Sequence, residues 1–129
     1  MRLKTGLPAE SIDIQFSYTV FEHIPEEVLA GILQEASRVL AQTGFCLHHI
    51  DPSDHYSHDD GRISKVNFLQ FSDEEWNRHA GNQFAYHNRS RAADFKRLFE
   101  ESGHRLLEFE PYCDERSLSE LRAGLISVF

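Results

Sequence analysis

The side chains most able to do chemistry lie in a short stretch rich in histidines and carboxylates. This stretch contains His48, His49, Asp51, Asp54, His55, His58, Asp59 and Asp60. A neutral histidine with a pKa near its unperturbed value can accept a proton at neutral pH. His55 is therefore a candidate general base, and so is His23, which lies just before Pro25. The alternative for His23 is a structural role, packing or capping beside that proline.

The same stretch raises the question of a metal site. Such a site needs three or four ligands that converge on one point. His48 and His49 are neighbours in a predicted strand, so their side chains point to opposite faces and cannot bind one ion together. The chain contains no H-E-x-x-H motif and no histidine–cysteine ligand spacing. We therefore expect a polar, solvated loop and no metal.

A second polar cluster precedes a predicted helix. It consists of Tyr86, Asn88, Arg89 and Arg91. The guanidinium of Arg89 has a fork of donors that suits a carboxylate or phosphate of a bound molecule. Alternatively, Asn88 caps the helix and the arginines pair with surface acids.

The elements that would position these residues begin with a strand, a helix and a second strand. Apolar and polar residues alternate over 12–17, an apolar stripe at helical spacing runs through 25–40, and a further apolar run covers 45–51. These patterns predict one βαβ unit with parallel strands. Pro25 is expected at the first helical position. Gly44 is expected to end the helix region through a left-handed turn.

Weaker patterns predict further elements beyond this unit. In chain order they are an extended piece at 67–71, a helix at 73–80, a helix at 90–102, a strand at 105–111, a helical turn at 117–120 and a strand at 123–129. Ser72 and Glu75 have the spacing of a capping box, and Trp76 is the expected buried anchor of the helix that they begin.

Several of these elements carry recognisable motifs. They are SIDIQFS at 11–17, VFEHIP at 20–25, EASRVL at 35–40 followed by Thr43 and Gly44, YHNRSR at 86–91, DF at 94–95 and LFEESGH at 98–104. The motifs up to Gly44 resemble the fourth strand, fourth helix and fifth strand of class I S-adenosylmethionine-dependent methyltransferases. The later ones resemble the next helix and its exit. The resemblance implies an α/β fold, a partial Rossmann-like three-layer sandwich of about four strands, with a parallel core pair and an antiparallel last strand.

The resemblance also implies where ligands bind. In that family the segment after the fourth strand lines the methionine part of S-adenosylmethionine, and the segment after the fifth strand faces the methyl acceptor. The implied cofactor-binding residues are Ser17, Tyr18, Thr19 and His23. The implied acceptor-binding residues are Asp51, Asp54 and His55, to which the second polar cluster adds Arg89. His55 and His23 are the candidate catalytic residues, acting as bases if the acceptor must lose a proton.

One feature of the family is missing from this chain. The family binds its cofactor largely through a Gly-rich turn after its first strand, whereas the glycines here are scattered singly. We therefore expect a single partial domain over 1–129, whose cofactor-binding N-terminal half is absent and which is inactive in isolation. It would comprise a loop at 1–11, the βαβ core at 12–51, a lid-like insertion at 52–88, and a helix with a C-terminal strand pair at 89–129.

Composition narrows the remaining possibilities. The chain has 129 residues, of which 40% are hydrophobic, which is enough for one compact domain with a core. A formal net charge of −8 argues against nucleic acid and anionic membranes as partners. The two cysteines have no pairing or metal spacing, and no targeting or membrane-spanning run is present, so we expect a cytoplasmic protein with free thiols.

Two functions from different classes follow from these observations. The first is the C-terminal portion of a methyltransferase that acts on a small molecule. The second is a non-catalytic, methyltransferase-like module that works through self-association or a partner chain. In both, the first strand would be an uncovered sheet edge, so a homo-oligomer or the missing N-terminal half is expected to cover it.

Overall fold

The computed structural model describes residues 4–81 and 86–126. In chain order the elements are β1 (Ile12–Tyr18), a 3₁₀ helix (Phe21–His23), α1 (Glu26–Val39), β2 (Leu40–His49), α2 (Tyr56–Asp59), a second 3₁₀ helix (Asn67–Gln70), α3 (Asp73–Ala80), α4 (Ala92–Glu101) and α5 (Glu115–Arg122). The chain divides into two compact units. The first unit is Met1–Asp51 with Ser90–Phe109, and the second unit is Pro52–Arg89 with Glu110–Phe129. The single domain expected over 1–129 stays a prediction.

The first unit is built on a parallel strand pair. β1 and β2 run in the same direction, with Phe16 opposite Leu47 and Ser17 opposite His48. Because α1 connects the two strands, the predicted βαβ unit is confirmed. β2 begins at Leu40 rather than at residue 45, and it ends at His49 rather than at residue 51.

α1 differs from its prediction at both ends. Pro25 is the N-cap and not the first helical residue. The helix ends at Val39, and Leu40 is already extended, with φ −64° and ψ 133°. The chain therefore passes from helix to strand without a loop, and the left-handed turn predicted at Gly44 is wrong.

Gly44 has a different purpose, which is to let two backbones approach closely. The register between the strands shifts here, since Ile12 and Ile14 are two residues apart while Leu40 and Phe45 opposite them are five apart. A Cβ at position 44 would lie 2.9 Å from the carbonyl oxygen of Asp13 and equally close to that of Ile12. Any side chain at Gly44 would collide with β1, so the irregular start of β2 requires glycine.

The two faces of the sheet have opposite characters. The face covered by α1 and α4 bears the half-buried side chains of Gln15, Ser17, Cys46 and His48. The other face presents Ile14 (54% exposed), Phe16 (76%), Tyr18 (70%), Phe45 (47%) and Leu47 (66%). We call this second set the open apolar face. Parallel sheets are normally covered on both sides, so an uncovered apolar face is unusual.

A cluster of buried apolar side chains stabilises the first unit. It comprises Phe21, Leu29, Leu33, Phe95, Leu98 and Phe99, contributed by the first 3₁₀ helix, α1 and α4. The helix predicted at 90–102 is confirmed as α4, and Gly103 follows it with φ +86°, a left-handed conformation that suits glycine at the end of a helix.

The predicted C-terminal strand pair is wrong within the described residues. Residues 105–111 form no strand, and Leu107 and Phe109 are exposed. Alternation shows which residues would share a face, but by itself it does not pair a segment with a strand. Ala123 and Gly124 form a turn after α5, and residues 127–129 of the predicted last strand lie outside the described residues. The described part of the chain thus contains two strands and not four, and no antiparallel pair.

The second unit is helical. Ser72 and Glu75 form the predicted capping box of α3, and Trp76 is buried against Phe68. The piece at 67–71 predicted to be extended contains the second 3₁₀ helix, so that prediction is wrong. The helical turn predicted at 117–120 lies inside α5, whose N-cap is Asp114. No helix among the described residues has the length and apolar character needed to cross a bilayer.

Candidate functional site

The carboxyl ends of β1 and β2 bring a serine and a histidine together. Ser17 Oγ and His48 Nδ1 are hydrogen-bonded at 2.8 Å, and both side chains are half-buried. Ser17 is one of the predicted cofactor-binding residues. In the sequence, His48 is a candidate metal ligand only, and it is not among the residues predicted for this site. Because it directly follows the apolar residue Leu47 in a strand, the alternation could have placed it on the face opposite the open apolar face, beside Ser17.

Aromatic rings surround His48 and determine its charge. Its imidazole stacks on Phe21 with ring centroids 4.3 Å apart, and the ring of Phe99 lies 5.4 Å away. Burial lowers the pKa of His48 to about 4, with a further contribution from His104. Its Nε2 atom is buried without a hydrogen-bond partner among the described residues. His48 is therefore a neutral imidazole at pH 7 and can take part in hydrogen bonding without carrying charge.

The low pKa of His48 predicts a loss of stability on acidification. Between pH 6.5 and about 4 the unfolded chain binds a proton at this histidine and the folded chain does not. The contribution of His48 to stability is therefore complete above pH 6.5, falls as the pH drops toward 4, and levels off below. Urea unfolding at pH 7.5, 5.5 and 4.5 measures this slope, which should be flatter in His48→Gln. The matched variant His79→Gln, at an exposed histidine, should keep the wild-type slope; equal slopes in wild type and His48→Gln would contradict the prediction.

The turn after β1 contains a strained residue. Thr19 has φ +50°, a left-handed conformation that is rare for a β-branched residue and costs about 1–3 kcal/mol. Its backbone N–H donates to the carbonyl oxygen of His49 at 2.8 Å, which locks the turn against the end of β2. Tyr18, just before it, stacks on the His49 ring with centroids 4.6 Å apart. Strain of this kind concentrates at functional sites, so the turn is a candidate ligand contact.

The first 3₁₀ helix follows this turn and holds the remaining predicted cofactor-side residue. His23 is exposed at its last position. Glu22, next to it, is buried, and no pattern in the sequence indicates this. Asp51, predicted on the acceptor side, is half-buried just beyond β2 in the first unit.

Asp54 is completely buried in the second unit, where it organises the local backbone. Its carboxylate accepts hydrogen bonds from the backbone N–H of Tyr56 at 3.0 Å and from the Asn67 amide at 3.2 Å. The carboxylate also lies 3.9 Å from Nε2 of His87, another fully buried side chain. These contacts begin α2 and tie it to the second 3₁₀ helix.

His55 is half-buried within a group of aromatic side chains. Its Nδ1 lies 3.0 Å from the carbonyl oxygen of Ser53, and its ring lies 4.7 Å from that of His58 and 4.8 Å from that of His87. A nitrogen at hydrogen-bond distance from a carbonyl oxygen donates to it. Nδ1 therefore carries a proton in this contact.

Arg89 is directed into the second unit by contacts with three backbone or side-chain oxygens. Its guanidinium donates to the carbonyl oxygens of Phe68 and Phe71 and forms an ion pair with Asp73. These partners lie at the second 3₁₀ helix and the start of α3. Its predicted role in acceptor binding stays a prediction, and its present contacts are structural.

The predicted site residues thus fall into two groups. Ser17, Tyr18, Thr19 and His23 lie at or just after the carboxyl end of β1 in the first unit, which also contains His48 and, just beyond β2, Asp51. Asp54, His55 and Arg89 belong to the second unit. In the second group, Asp54 and Arg89 already have partners that fold the chain locally.

Comparison with known families gives one match, in the N-terminal part of the chain. Residues 2–48 match a family model described as a methyltransferase domain. The match covers β1, α1 and nearly all of β2. Comparison with curated proteins found no match, and comparison with solved structures found none either.

Proposed function

Residues 2–48 match a family model described as a methyltransferase domain, and on this premise we propose that the protein transfers the methyl group of S-adenosylmethionine to a small-molecule acceptor. The match confirms the resemblance to class I S-adenosylmethionine-dependent methyltransferases. The observation that carries the proposal is the parallel β1–α1–β2 unit with its strained turn at Thr19, because ligands of open α/β sheets lie beyond the carboxyl ends of the strands.

In this proposal the turn after β1 contacts the cofactor. Ser17, Tyr18, Thr19 and His23 would face its methionine part. Methyl transfer from a sulfonium is an in-line displacement, so the main task of these residues is to hold the donor in attack geometry. The rigid backbone at Thr19 supports such a role, since it fixes the direction of the neighbouring side chains.

The predicted acceptor-side residues are Asp51, Asp54, His55 and Arg89. Asp54 is fully buried and Arg89 is held by structural contacts, which leaves Asp51 and His55 as the candidates. His55 would remove a proton from the acceptor if the acceptor must lose one, with His23 as the alternative base. The proposal places the protein in the cytoplasm, in keeping with two free cysteines, Cys46 and Cys113.

Nuclear magnetic resonance with S-adenosylhomocysteine tests cofactor binding directly. Amide shifts of the labelled chain should concentrate at residues 17–23 and at His48. 5′-Methylthioadenosine, which lacks the amino-acid part, should shift these amides much less. Because the chain lacks a Gly-rich turn, we expect millimolar affinity. Ser17→Ala should weaken binding, and Ser37→Ala, on the exposed surface of α1, should not. Shifts that are absent, or confined to 52–81, would refute the proposal.

A second candidate function is favoured by the open apolar face. Here the protein is a non-catalytic, methyltransferase-like module that acts through self-association or a partner chain. An exposed sheet surface that bears three aromatic and two aliphatic side chains is a frequent mark of a protein interface. The two functions are compatible in one respect, since a cover over this face is expected in both.

A further inference from the structure

Glu22 is a buried carboxylate that lacks a hydrogen-bond partner among the described residues. Its side chain is 1% exposed, and neither carboxylate oxygen has a hydrogen-bond partner among the described residues. Glu35 shows the usual arrangement in the same unit: it too is buried, but it accepts hydrogen bonds from Thr5 and Arg38. Charges removed from water are normally paired or bound to a metal ion, because an isolated charge in the interior is strongly unfavourable. Among the described residues, the carboxylate of Glu22 is not paired in this way.

His23 offers a second ligand atom beside Glu22. A ring nitrogen of His23 and a carboxylate oxygen of Glu22 lie within 4.8 Å of each other. The backbone that carries them is fixed by the first 3₁₀ helix, in which the His23 N–H donates to Val20 at 3.0 Å and the Ile24 N–H donates to Phe21 at 3.2 Å. His23 is exposed at the last position of this helix, so the pair joins a buried carboxylate to a side chain at the surface.

We propose that Glu22 and His23 bind a divalent metal ion of the borderline class, such as Mn²⁺ or Zn²⁺. One carboxylate oxygen and one imidazole nitrogen suit these ions, whereas a calcium or magnesium site would use oxygen ligands alone. Water or oxygen atoms of a bound ligand would complete the coordination. The sequence has no recognised metal motif at this point, and the signal is the uncompensated burial of Glu22. The proposal does not depend on methyl transfer.

Titration with Mn²⁺ followed by electron paramagnetic resonance tests the site in the untagged, chelator-treated protein. Wild type should bind one Mn²⁺ tightly above the weak background of its other histidines. Glu22→Gln keeps the size of the side chain and should weaken this binding at least tenfold, and His23→Asn should do the same. Glu27→Gln, the same change at an exposed glutamate in α1, should stay within twofold of wild type.

Two results would overturn the proposal: a wild type without a distinct site, or a Glu22→Gln variant that titrates like wild type. Without metal, thermal unfolding of Glu22→Gln should occur at or above the wild-type temperature, since the substitution removes a buried carboxylate whose oxygens accept no hydrogen bond among the described residues. Added Mn²⁺ should raise the unfolding temperature of wild type and Glu27→Gln only. If Glu22→Gln does not fold, His23→Asn decides the matter, because His23 is at the surface.

Discussion

Replacing Phe16 with glutamate is expected to abolish the self-association that we propose for the open apolar face. Phe16 is the most exposed member of the open apolar face, at 76%. Each of its three aromatic side chains can bury about 150–250 Å², so the face offers several hundred Å² of apolar surface. A stable interface buries about 800 Å² on each partner. The open apolar face would therefore form the central part of such an interface, with a polar rim around it.

A second copy of the chain is a suitable cover for this face. The face carries no carboxylate although the net charge of the chain is −8, so two copies can meet there without bringing acids together. Glutamate at position 16 would place a charge from each copy in the apolar centre. The expected result is at least a 100-fold weaker association, which corresponds to about 2.7 kcal/mol.

Size-exclusion chromatography with light scattering over a concentration series measures the effect. The control is Leu107→Glu, which places the same charge on a side chain that is 70% exposed in the first unit but lies outside the strands. It should associate like wild type. A wild type that remains monomeric at about 100 µM, or a control that dissociates as Phe16→Glu does, would contradict the prediction. The first result would leave a different chain as the cover.

The parts of the fold that the sequence predicts are those specified by neighbouring residues. Alternation over 12–17 and the stripe that includes Leu29 and Leu33 were sufficient for β1 and α1, because each pattern repeats within one element. The capping box of α3 is equally local, since Ser72 and Glu75 satisfy each other. The strand predicted at 105–111 failed because alternation tells which residues would share a face and does not supply a strand edge to pair with.

The candidate site follows the same division. Ser17, Tyr18, Thr19 and His23 were found because they directly follow a predicted strand. The environment of His48 could not be predicted in this way, since the Phe99 ring beside it comes from α4, far along the chain. Glu22 was missed for a related reason, because its burial becomes visible only when the unit is assembled. Sequence patterns place residues at the end of a strand, but they do not show which charges lose water there.

Replacing Arg89 with alanine is expected to destabilise the second unit by about 2–3 kcal/mol. The guanidinium donates to the carbonyl oxygens of Phe68 and Phe71 and pairs with Asp73. Hydrogen bonds to a charged group contribute about 1.5–3 kcal/mol each. Because all of these bonds come from one guanidinium, their contributions are not independent and the total is smaller than their sum. Arg89→Lys keeps the charge but loses the fork of donors, and an intermediate loss is expected.

Urea unfolding followed by tryptophan fluorescence reports on this unit specifically, because Trp76 is the single tryptophan of the chain and is buried beside Phe68. Arg78→Ala is the control, since Arg78 and Glu74 form an exposed ion pair along α3 that should contribute less than about 0.5 kcal/mol.

The two possible outcomes assign different roles to Arg89. In the first, Arg89→Ala is as stable as this control. The guanidinium would then be available to a ligand, and acceptor binding would become the better account of Arg89. A clear loss of stability would instead mean that Arg89 is committed to the second 3₁₀ helix and the start of α3, so the acceptor side would depend on Asp51 and His55.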